Sequence, residues 1–319
     1  MNSLSRAPTS GKRPHRLLKG ISSVFDLVDG ANVGYNYPGE GYPNKVYFVN
    51  NITGSATAIG DTWDTAMDQP STAITAWEAY RAGQTSTNAY NRGIIYIQGT
   101  GTAYSALSAL PNYCDMYGIG ADPRGNGSGI ARIESATTAD SCSSAGVRGL
   151  GLYNLQFGGS SSGYAMDLAV CFRSIIENCV FVNKSTGAFR IVTGGGIVIR
   201  NCMIGGSDTT DCANGLEISG TANFNNCLVE DNCIYGTTYG VIVNAYLCNG
   251  TIFRNNFIYG GTIGVDDNST EATLAGNAFY INNFIGSASD CMEFANNGTV
   301  RAIGNVANQA GTTAWEDNI

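Results

Sequence analysis

The segments IENCVF (176–181) and IRNCMI (199–204) decide the fold, because the same short phrase returns along the chain. Each phrase places an asparagine among apolar residues, and related phrases surround five more asparagines. The seven are Asn154, Asn178, Asn201, Asn232, Asn256, Asn283 and Asn305. Their steps of 24, 23, 31, 24, 27 and 22 residues average about 25. A fixed period of about 20–50 residues indicates a stacked repeat architecture.

A second ladder, made of glycines, runs in phase with the asparagines. Its members are Gly163, Gly187, Gly215, Gly240 and Gly264. Short runs that alternate apolar and polar residues, such as 188–192, follow these glycines, and a third apolar run such as 197–199 precedes each asparagine. Period-two alternation is typical of half-buried strands. One repeat therefore holds about three short strands and no helix, which predicts an all-β parallel β-helix with about 25-residue coils.

The repeated asparagine has a structural role in such a stack. Asparagine tolerates the left-handed backbone region, and side-chain amides in equivalent turns can bond one another. We expect all seven to lie above one another in one turn, in the interior and mutually bonded. The pattern resembles the right-handed parallel β-helix repeat of the pectate-lyase-like superfamily of carbohydrate-binding and sugar-cleaving proteins. The resemblance covers roughly residues 147–306 and concerns the fold, which hosts many functions.

Two regions differ in composition. Residues 1–44 are read as an extended arm and residues 45–319 as the β-helix domain. One helix is predicted over 71–82, with Ser71 as its N-cap. A strand, a loop, this helix and a further strand resemble the N-terminal cap of many phage-borne β-helix proteins. A cap is needed because an open coil end exposes an unpaired sheet edge.

The start of the arm is basic and the rest of the chain is acidic. Residues 1–20 carry five positive charges and no acid, whereas the remainder carries 12 basic against 25 acidic residues. The five basic residues are Arg6, Lys12, Arg13, Arg16 and Lys19. The segment has no apolar run suited to a signal peptide or a membrane helix. It is either a disordered tail or, as its opposite charge favours, an anchor that orders on a partner.

The ten cysteines do not show the paired spacing of a zinc site, so neither a metal nor a cofactor is expected. Cys179, Cys202 and Cys233 directly follow ladder asparagines, which predicts that they stack as small apolar residues. Free thiols are expected of a chain made in a reducing cytosol. A disulfide formed later, between Cys171 and Cys179 or between Cys227 and Cys233, is left open.

Carboxylates are the candidate catalytic groups, because glycan hydrolysis needs two facing acids. The weak candidates are Asp266, Asp267, Glu217 and Asp167, together with the pair Asp208 and Asp211. The polygalacturonase-type signatures N-T-D, D-D with G-H-G, and R-I-K do not occur together. The simpler interpretation is structural, with cross-coil ion pairs between Arg190 and Glu217 and between Glu177 and Arg200.

The aromatic residues fall into two groups by their position in the repeat. Phe181, Phe257, Phe279, Phe284 and Phe294 are predicted to face the core. A second group could form an exposed stripe that stacks on sugars or meets another subunit. This group consists of Tyr235, Tyr239, Tyr246 and Tyr259.

We therefore expect a bacteriophage virion structural protein, made in the host cytoplasm. It would be a capsid decoration or head-fibre subunit, a homotrimer docked on a capsid or other virion protein through residues 1–44. A tailspike-like polysaccharide depolymerase and a non-catalytic glycan-binding adhesin are the alternatives. A host-surface glycan remains open as a partner, and neither a membrane nor nucleic acid is expected.

Overall fold

The computed structural model describes residues 45–84, 92–125, 127–137, 139–159, 162–206, 212–220, 223–245, 247–269, 278–294 and 301–309. These residues form a right-handed parallel β-helix of three sheets, with one helix at the N-terminal end. In each regular coil the chain passes through sheet I, sheet II and sheet III in turn. The predicted all-β fold is confirmed.

Strands are numbered in chain order. In the described residues sheet I has ten: β1 (Lys45–Val49), β2 (Gly93–Gln98), β4 (Cys114–Ile119), β8 (Gly151–Tyr153), β11 (Ile175–Glu177), β14 (Val198–Arg200), β18 (Leu228–Glu230), β21 (Thr251–Arg254), β24 (Ala278–Ile281) and β27 (Arg301–Ile303). Sheet II has β3 (Tyr104–Ser105), β5 (Arg132–Glu134), β9 (Gln156–Gly158), β12 (Val180–Phe181), β15 (Met203–Ile204), β19 (Cys233–Gly236), β22 (Phe257–Gly260), β25 (Phe284–Ser287) and β28 (Val306–Gln309).

Sheet III completes the coil. It contains β6 (Ser143–Ser144), β7 (Val147–Arg148), β10 (Tyr164–Phe172), β13 (Gly187–Gly195), β16 (Asn214–Ile218), β17 (Phe224–Asn225), β20 (Tyr239–Val243), β23 (Ile263–Asp267) and β26 (Asp290–Phe294). The long strands β10 and β13 pair along most of their length. Parallel pairing aligns equivalent residues of successive coils, so the core consists of side-chain stacks. Phe157 and Phe181, one coil apart, lie 5.5 Å between ring centroids.

Helix α1 (Pro70–Ala82) covers the N-terminal end of the stack. Its residues Ala73, Ile74 and Trp77 are buried, and the indole Nε1 of Trp77 donates to the carbonyl of Asn112 at 2.8 Å. The N-cap is Gln69, whose side chain makes no capping bond, and Pro70 opens the helix. The prediction of Ser71 as N-cap was wrong because proline suits the first helical position, which leaves serine inside the first turn.

At the corner between sheets I and II the seven asparagines lie in two rows, so the prediction of a single asparagine stack was wrong. One residue per coil adopts the left-handed backbone region there, in the row Asn154, Asn178, Asn201, Asp231, Asn255, Asn282 and Gly304. Arg200 pairs with Glu230, so Asn201 is level with Asp231 and not with Asn232. Asn154, Asn178 and Asn201 are therefore half-buried or exposed, whereas Asn232, Asn256, Asn283 and Asn305 lie in a separate, buried row.

Because of the same one-residue offset, two other predictions were also wrong. Cys179 and Cys202 are buried, but Cys233 pairs with Met203 on the outer face of sheet II and is exposed. All ten thiols are free. Phe257 and Phe284 also face outward, since each directly follows a buried asparagine and successive strand residues point to opposite faces. Phe181 is fully buried, as predicted, whereas Phe279 is only partly buried.

Candidate functional site

The candidate carboxylates lie mostly on the outer face of sheet III. Asp167, Arg190 and Glu217 follow one another in register, and Ile242, Asp266 and Glu293 continue the row. Asp267 has the opposite orientation and is 1% exposed. The row thus contains two groups of acids, separated by the buried side chain of Ile242.

The first group is closed by its own contacts. Arg190 pairs with Asp167, with 2.5 Å between Nη2 and Oδ2, so the predicted pairing of Arg190 with Glu217 was wrong. Glu217 accepts hydrogen bonds from the Tyr164 hydroxyl at 2.7 Å and from Asn214 Nδ2 at 2.9 Å. Arg190 also lies 4.3 Å over the Tyr164 ring. Burial and the Glu217 carboxylate raise the pKa of Tyr164.

The second group is more open. Asp266 and Glu293 are partners on neighbouring coils, and Glu293 is exposed. Asp266 accepts a hydrogen bond from Asn268 Nδ2 at 2.8 Å. Partial burial, and then the charges of Glu293 and Asp267, raise the pKa of Asp266. Two carboxylates one coil apart, about 4.8 Å along the stack, are the arrangement here that most resembles an acid pair for glycan cleavage.

Asp267 belongs to the core. It is stacked with Val243, takes a hydrogen bond from the Tyr280 hydroxyl at 2.9 Å and another from the Ser269 backbone N–H at 3.0 Å. Burial raises the pKa of this carboxyl, although these bonds oppose the shift. A group enclosed in this way cannot reach an external substrate.

Other predicted site residues lie outside the described part of the chain. These are the five basic arm residues Arg6, Lys12, Arg13, Arg16 and Lys19, the pair Asp208 and Asp211, and Tyr246. Among the described residues no three His, Cys, Asp or Glu side chains come together as a metal site would require. Over the same residues, no helix combines the length and the apolar character needed to cross a bilayer.

An apolar row covers the outer face of sheet II in its C-terminal coils, and we call it the outer row. It consists of Met203, Cys233, Phe257, Phe284 and Val306, which are in register over five successive coils. Phe257 is 47% exposed and Val306 42%. The rings of Phe257 and Phe284 stack at 5.1 Å. The outer row was not predicted from the sequence, because the repeat pattern places Phe257 and Phe284 at core positions.

The tyrosines divide into two locations. Tyr235 and Tyr259 stack at 5.2 Å beside the outer row and extend its aromatic surface. Tyr239 lies on sheet III, in register with Asn214 and Ile263. The predicted continuous tyrosine stripe therefore does not form among the described residues, although one stacked pair does.

Sheet I carries charges and apolar residues on its outer face. Arg200 pairs with Glu177 at 2.9 Å, as predicted, and Arg254 pairs with Glu230 at 2.5 Å. Beside these pairs runs the partly exposed aliphatic row Ile175, Val198, Leu228 and Ile252. Positive and negative charges alternate along this face, so their fields largely cancel.

A groove of about 700 Å³ opens where sheet III turns into sheet I. It is lined by Phe172, Arg173, Thr193, Gly194, Gly195, Gly196, Asn223, Asn225 and Asn226. We call it the glycine groove, because Gly194, Gly195 and Gly196 are among its lining residues. The sequence signal that could have identified it is the run of three glycines interrupting the alternation of sheet III.

Comparison with known proteins agrees with the fold. No protein-family model and no curated protein matches the chain. The crystal structure of Escherichia coli YbhC matches with 13% identity and a TM-score of 0.51, covering 92% of this chain and 94% of that one. The pectin methylesterase of Aspergillus niger matches with 12% identity and a TM-score of 0.46, over 87% and 93%. At such identities the likeness is one of fold.

A third structure is more distant. The A-module of the Azotobacter vinelandii mannuronan C-5 epimerase AlgE6 matches with 13% identity and a TM-score of 0.22, over 74% of this chain and 94% of that one. The likeness to YbhC agrees with the parallel β-helix that the coils of this chain form, and any function has to be argued from the chain's own surfaces.

Proposed function

We propose that this chain is a non-catalytic structural subunit of a bacteriophage virion, a capsid decoration or head-fibre protein, that trimerises through its outer row. The outer row is the observation that carries the proposal. Large exposed apolar patches on a protein surface mark interaction sites. A second and third copy of the same rod would cover this face in a closed, symmetric assembly.

The state of the acids supports a non-catalytic role. Asp167 is held by Arg190, Glu217 accepts two hydrogen bonds, and Asp267 is enclosed in the core. Groups that are neutralised and fixed by their neighbours stabilise a rigid rod but offer little to a reacting substrate. A rigid β-helix is consistent with the proposed structural role on the surface of a virion.

Attachment to the virion is the further part of the proposal. The five positive charges of residues 1–20 oppose the acidic remainder of the chain, so residues 1–44 are proposed to dock on a capsid or other virion protein. Particles assembled with a chain lacking residues 1–20 should contain little of it, while the truncated chain stays folded. Full incorporation of the truncated chain would contradict the anchoring role.

Trimerisation is tested by the mass in solution. Light scattering should give about three times the chain mass of 33.5 kDa. Phe257→Lys places a charge in the middle of the outer row and should give monomers, because an unpaired charge is costly in an apolar interface. Ile59→Lys, at a residue that is 63% exposed outside the outer row, is the matched control and should stay trimeric.

Two results would sink the assembly proposal. One is a monomeric wild-type chain at micromolar concentration. The other is a trimer that survives Phe257→Lys unchanged, since the outer row would then lie outside the interface. Equal dissociation by Ile59→Lys would show that the added charge acts without regard to its position.

The alternative, a tailspike-like depolymerase, is favoured by one observation, the neighbouring carboxylates of Asp266 and Glu293. The discriminating assay incubates the protein with bacterial capsular and lipopolysaccharide glycans and measures released oligosaccharides. We expect no release. Release that is abolished by Asp266→Asn, with the fold intact, would replace the structural proposal by the enzymatic one.

A further inference from the structure

The outer row has a different kind of side chain on each of its two sides. In one coil the outward-facing residues follow one another as Arg254, Phe257 and Tyr259. Arg254 ends the outer face of sheet I, Phe257 belongs to the outer row, and Tyr259 comes next on sheet II. The corner residue Asn255 separates the arginine from the outer row. The outer row therefore lies between a charged flank on sheet I and an aromatic flank on sheet II.

The preceding coil has the same order, with Glu230, Cys233 and Tyr235. Contacts within the chain join the two coils on both flanks. On sheet I, Arg254 Nη2 pairs with Glu230 Oε2 at 2.5 Å. On sheet II, the rings of Tyr235 and Tyr259 stack at 5.2 Å. The ion pair and the tyrosine pair therefore occupy the same two coils and lie at the same height of the rod.

The next coil towards the N-terminus has the charged flank without the aromatic one. Arg200 continues the charged column and pairs with Glu177 at 2.9 Å. On sheet II the residue in register with Tyr235 is Gly205, directly after Ile204. A Cβ at Gly205 would come within 1.8 Å of the Tyr235 carbonyl oxygen, so this position excludes a side chain. Arg200 is thus a matched arginine whose coil presents no tyrosine.

A closed trimer of parallel rods brings unlike flanks together. With the outer row on the three-fold axis, each copy turns its charged flank to one neighbour and its aromatic flank to the other, as a head-to-tail ring requires. An axis parallel to the rods keeps equivalent coils at the same height. Tyr259 of one copy then faces Arg254 of the next copy, and Tyr235 faces Glu230 of the next copy.

The two flanks are chemically complementary. A guanidinium stacks on a tyrosine ring, and a tyrosine hydroxyl donates a hydrogen bond to a carboxylate. The side chain of Arg254 is 47% exposed although it holds Glu230, so part of the guanidinium is open to a second contact. Tyr235 and Tyr259 are partly exposed beside it in the stack of coils. Rings and ion pair thus fit one another as two sides of one interface.

We propose that the tyrosine pair, Tyr235 and Tyr259, docks on the ion pair of Glu230 and Arg254 in the next copy of the chain. The inference rests on the proposed trimerisation through the outer row and specifies which surfaces of neighbouring copies meet. It gives a role to two exposed pairs that the fold of a single rod does not need. It also fixes the direction in which the copies follow one another around the axis.

The experiment measures dissociation of the full-length trimer by sedimentation over a dilution series. Tyr259→Glu places a negative charge opposite Arg254 of the next copy, whereas Tyr259→Lys places two positive charges together. The dissociation constant should therefore be at least about tenfold lower for Tyr259→Glu than for Tyr259→Lys. The formal net charge of −8 favours the opposite order if the new charge acts without regard to its position.

The same two substitutions are then compared in two further backgrounds. Arg254→Ala removes the facing cation and leaves Glu230, so the preference for Tyr259→Glu should vanish or reverse. Arg200→Ala is the matched control, because it removes an arginine of the same column in a coil without a tyrosine. It should leave the preference unchanged within about twofold, and thermal melting checks that every variant folds.

The outcomes separate this inference from the proposed assembly. A monomeric wild-type chain, or a trimer that Phe257→Lys leaves intact, overturns the assembly itself. A trimer that Phe257→Lys dissociates, but that tolerates Tyr259→Lys as well as Tyr259→Glu, overturns only the docking of the tyrosine pair. A preference that Arg254→Ala leaves unchanged does the same, since the facing charge would then belong to another residue.

Discussion

The corner between sheets I and II is built in one way in the coils before residue 206 and in another way in the coils after 212. Both versions use a left-handed residue at the turn, Asn178 or Asn201 in the first and Asn255 or Asn282 in the second. They differ in the next residue, which points into the core. That residue is apolar or a thiol in the N-terminal coils and an asparagine in the C-terminal coils.

In the N-terminal coils Leu155, Cys179 and Cys202 fill the inner position. The thiol of Cys202 lies 3.2 Å from the carbonyl oxygen of Arg200 and 3.6 Å from that of Ile176, and it can donate a weak bond to either acceptor. Burial raises the pKa of Cys202 to about 12, so the thiol stays protonated and remains a donor. The outer asparagines Asn154 and Asn178 bond each other at 3.0 Å on the partly exposed side.

In the C-terminal coils the inner position is a continuous amide ladder. Asn256 Nδ2 donates to Asn283 Oδ1 at 3.0 Å and to the Val229 carbonyl at 2.9 Å. Its Oδ1 accepts from the backbone N–H and from Nδ2 of Asn232, both at 3.0 Å. Every bond that the side chain can make is therefore made. The two versions of the corner show that the residue in the left-handed turn and the residue that follows it vary independently.

The largest effect is expected where the amide ladder is broken. Asn256→Leu leaves the Asn232 backbone N–H and the Val229 carbonyl without their side-chain partner. It also removes one of the two hydrogen bonds of Asn232 Nδ2, which keeps its bond to the Ile199 carbonyl. Each orphaned buried group costs about 1–3 kcal/mol, so we expect a loss of at least about 3 kcal/mol in urea unfolding. The comparison variant Asn178→Gly keeps the left-handed turn and should lose less, since Asn178 is half-buried. Equal losses of stability at the two positions would contradict the difference between the two versions of the corner.

A smaller effect is expected from the ion pairs beside the corner. The side chain of Glu230 is 11% exposed and that of Glu177 29%. Arg254→Ala strands the more buried carboxylate and should cost about 1–3 kcal/mol. Arg200→Ala should cost less than about 1 kcal/mol, as exposed pairs do. Equal losses of stability in Arg254→Ala and Arg200→Ala, or a larger loss in Arg200→Ala, would contradict the expectation that the more buried ion pair stabilises the fold more.

Cys202→Asn converts the last thiol position into a ladder position. The new Nδ2 group would reach the Ile176 carbonyl and the Oδ1 of Asn232, so stability should stay within about 1 kcal/mol of wild type. Cys179→Asn should be more destabilising, because its neighbours Leu155 and Cys202 have no side-chain amide. Chemical denaturation measures the stability of both variants. A greater loss of stability in Cys202→Asn than in Cys179→Asn would show that the amide ladder cannot be extended.

The smallest effect concerns Asp267, which stands where the N-terminal coils have Leu168, Ile191 and Ile218. Its folded pKa is raised, so the folded state holds the proton more tightly than the unfolded chain. The free energy of unfolding then falls as pH rises from the unfolded pKa through the folded one. Asp267→Asn removes this titration and keeps a polar partner for Tyr280.

Melting curves at pH 4 and pH 7 measure the consequence. As the pH rises, the stability of Asp267→Asn should increase relative to that of the wild type. The Tm of the variant minus that of the wild type should therefore be larger at pH 7 than at pH 4. Val243→Thr, at the stacked position one coil earlier, controls for polarity without charge. A Tm difference that does not change with pH would mean that Asp267 titrates as it does in the unfolded chain.

The asparagine spacing predicted the fold because equal coils must stack in register. The helix predicted over 71–82 and a strand on either side of it were also predicted close to where they lie, since alternation and helix-forming residues are local signals. The candidate sites were predicted less well. The outer row was assigned to the core, and the glycine groove was missed because its walls come from three different coils.

The period, the three strands per coil and the turns follow from local sequence pattern and backbone preference, and they can be predicted from the sequence alone. Which residues face each other across coils depends on how the coils stack, and it is seen only in the folded structure. The 31-residue step from Asn201 to Asn232 hides a shift of one residue, so that Asn201 is level with Asp231. Because side chains alternate along a strand, that single residue turns Phe257 outward and Asn256 inward.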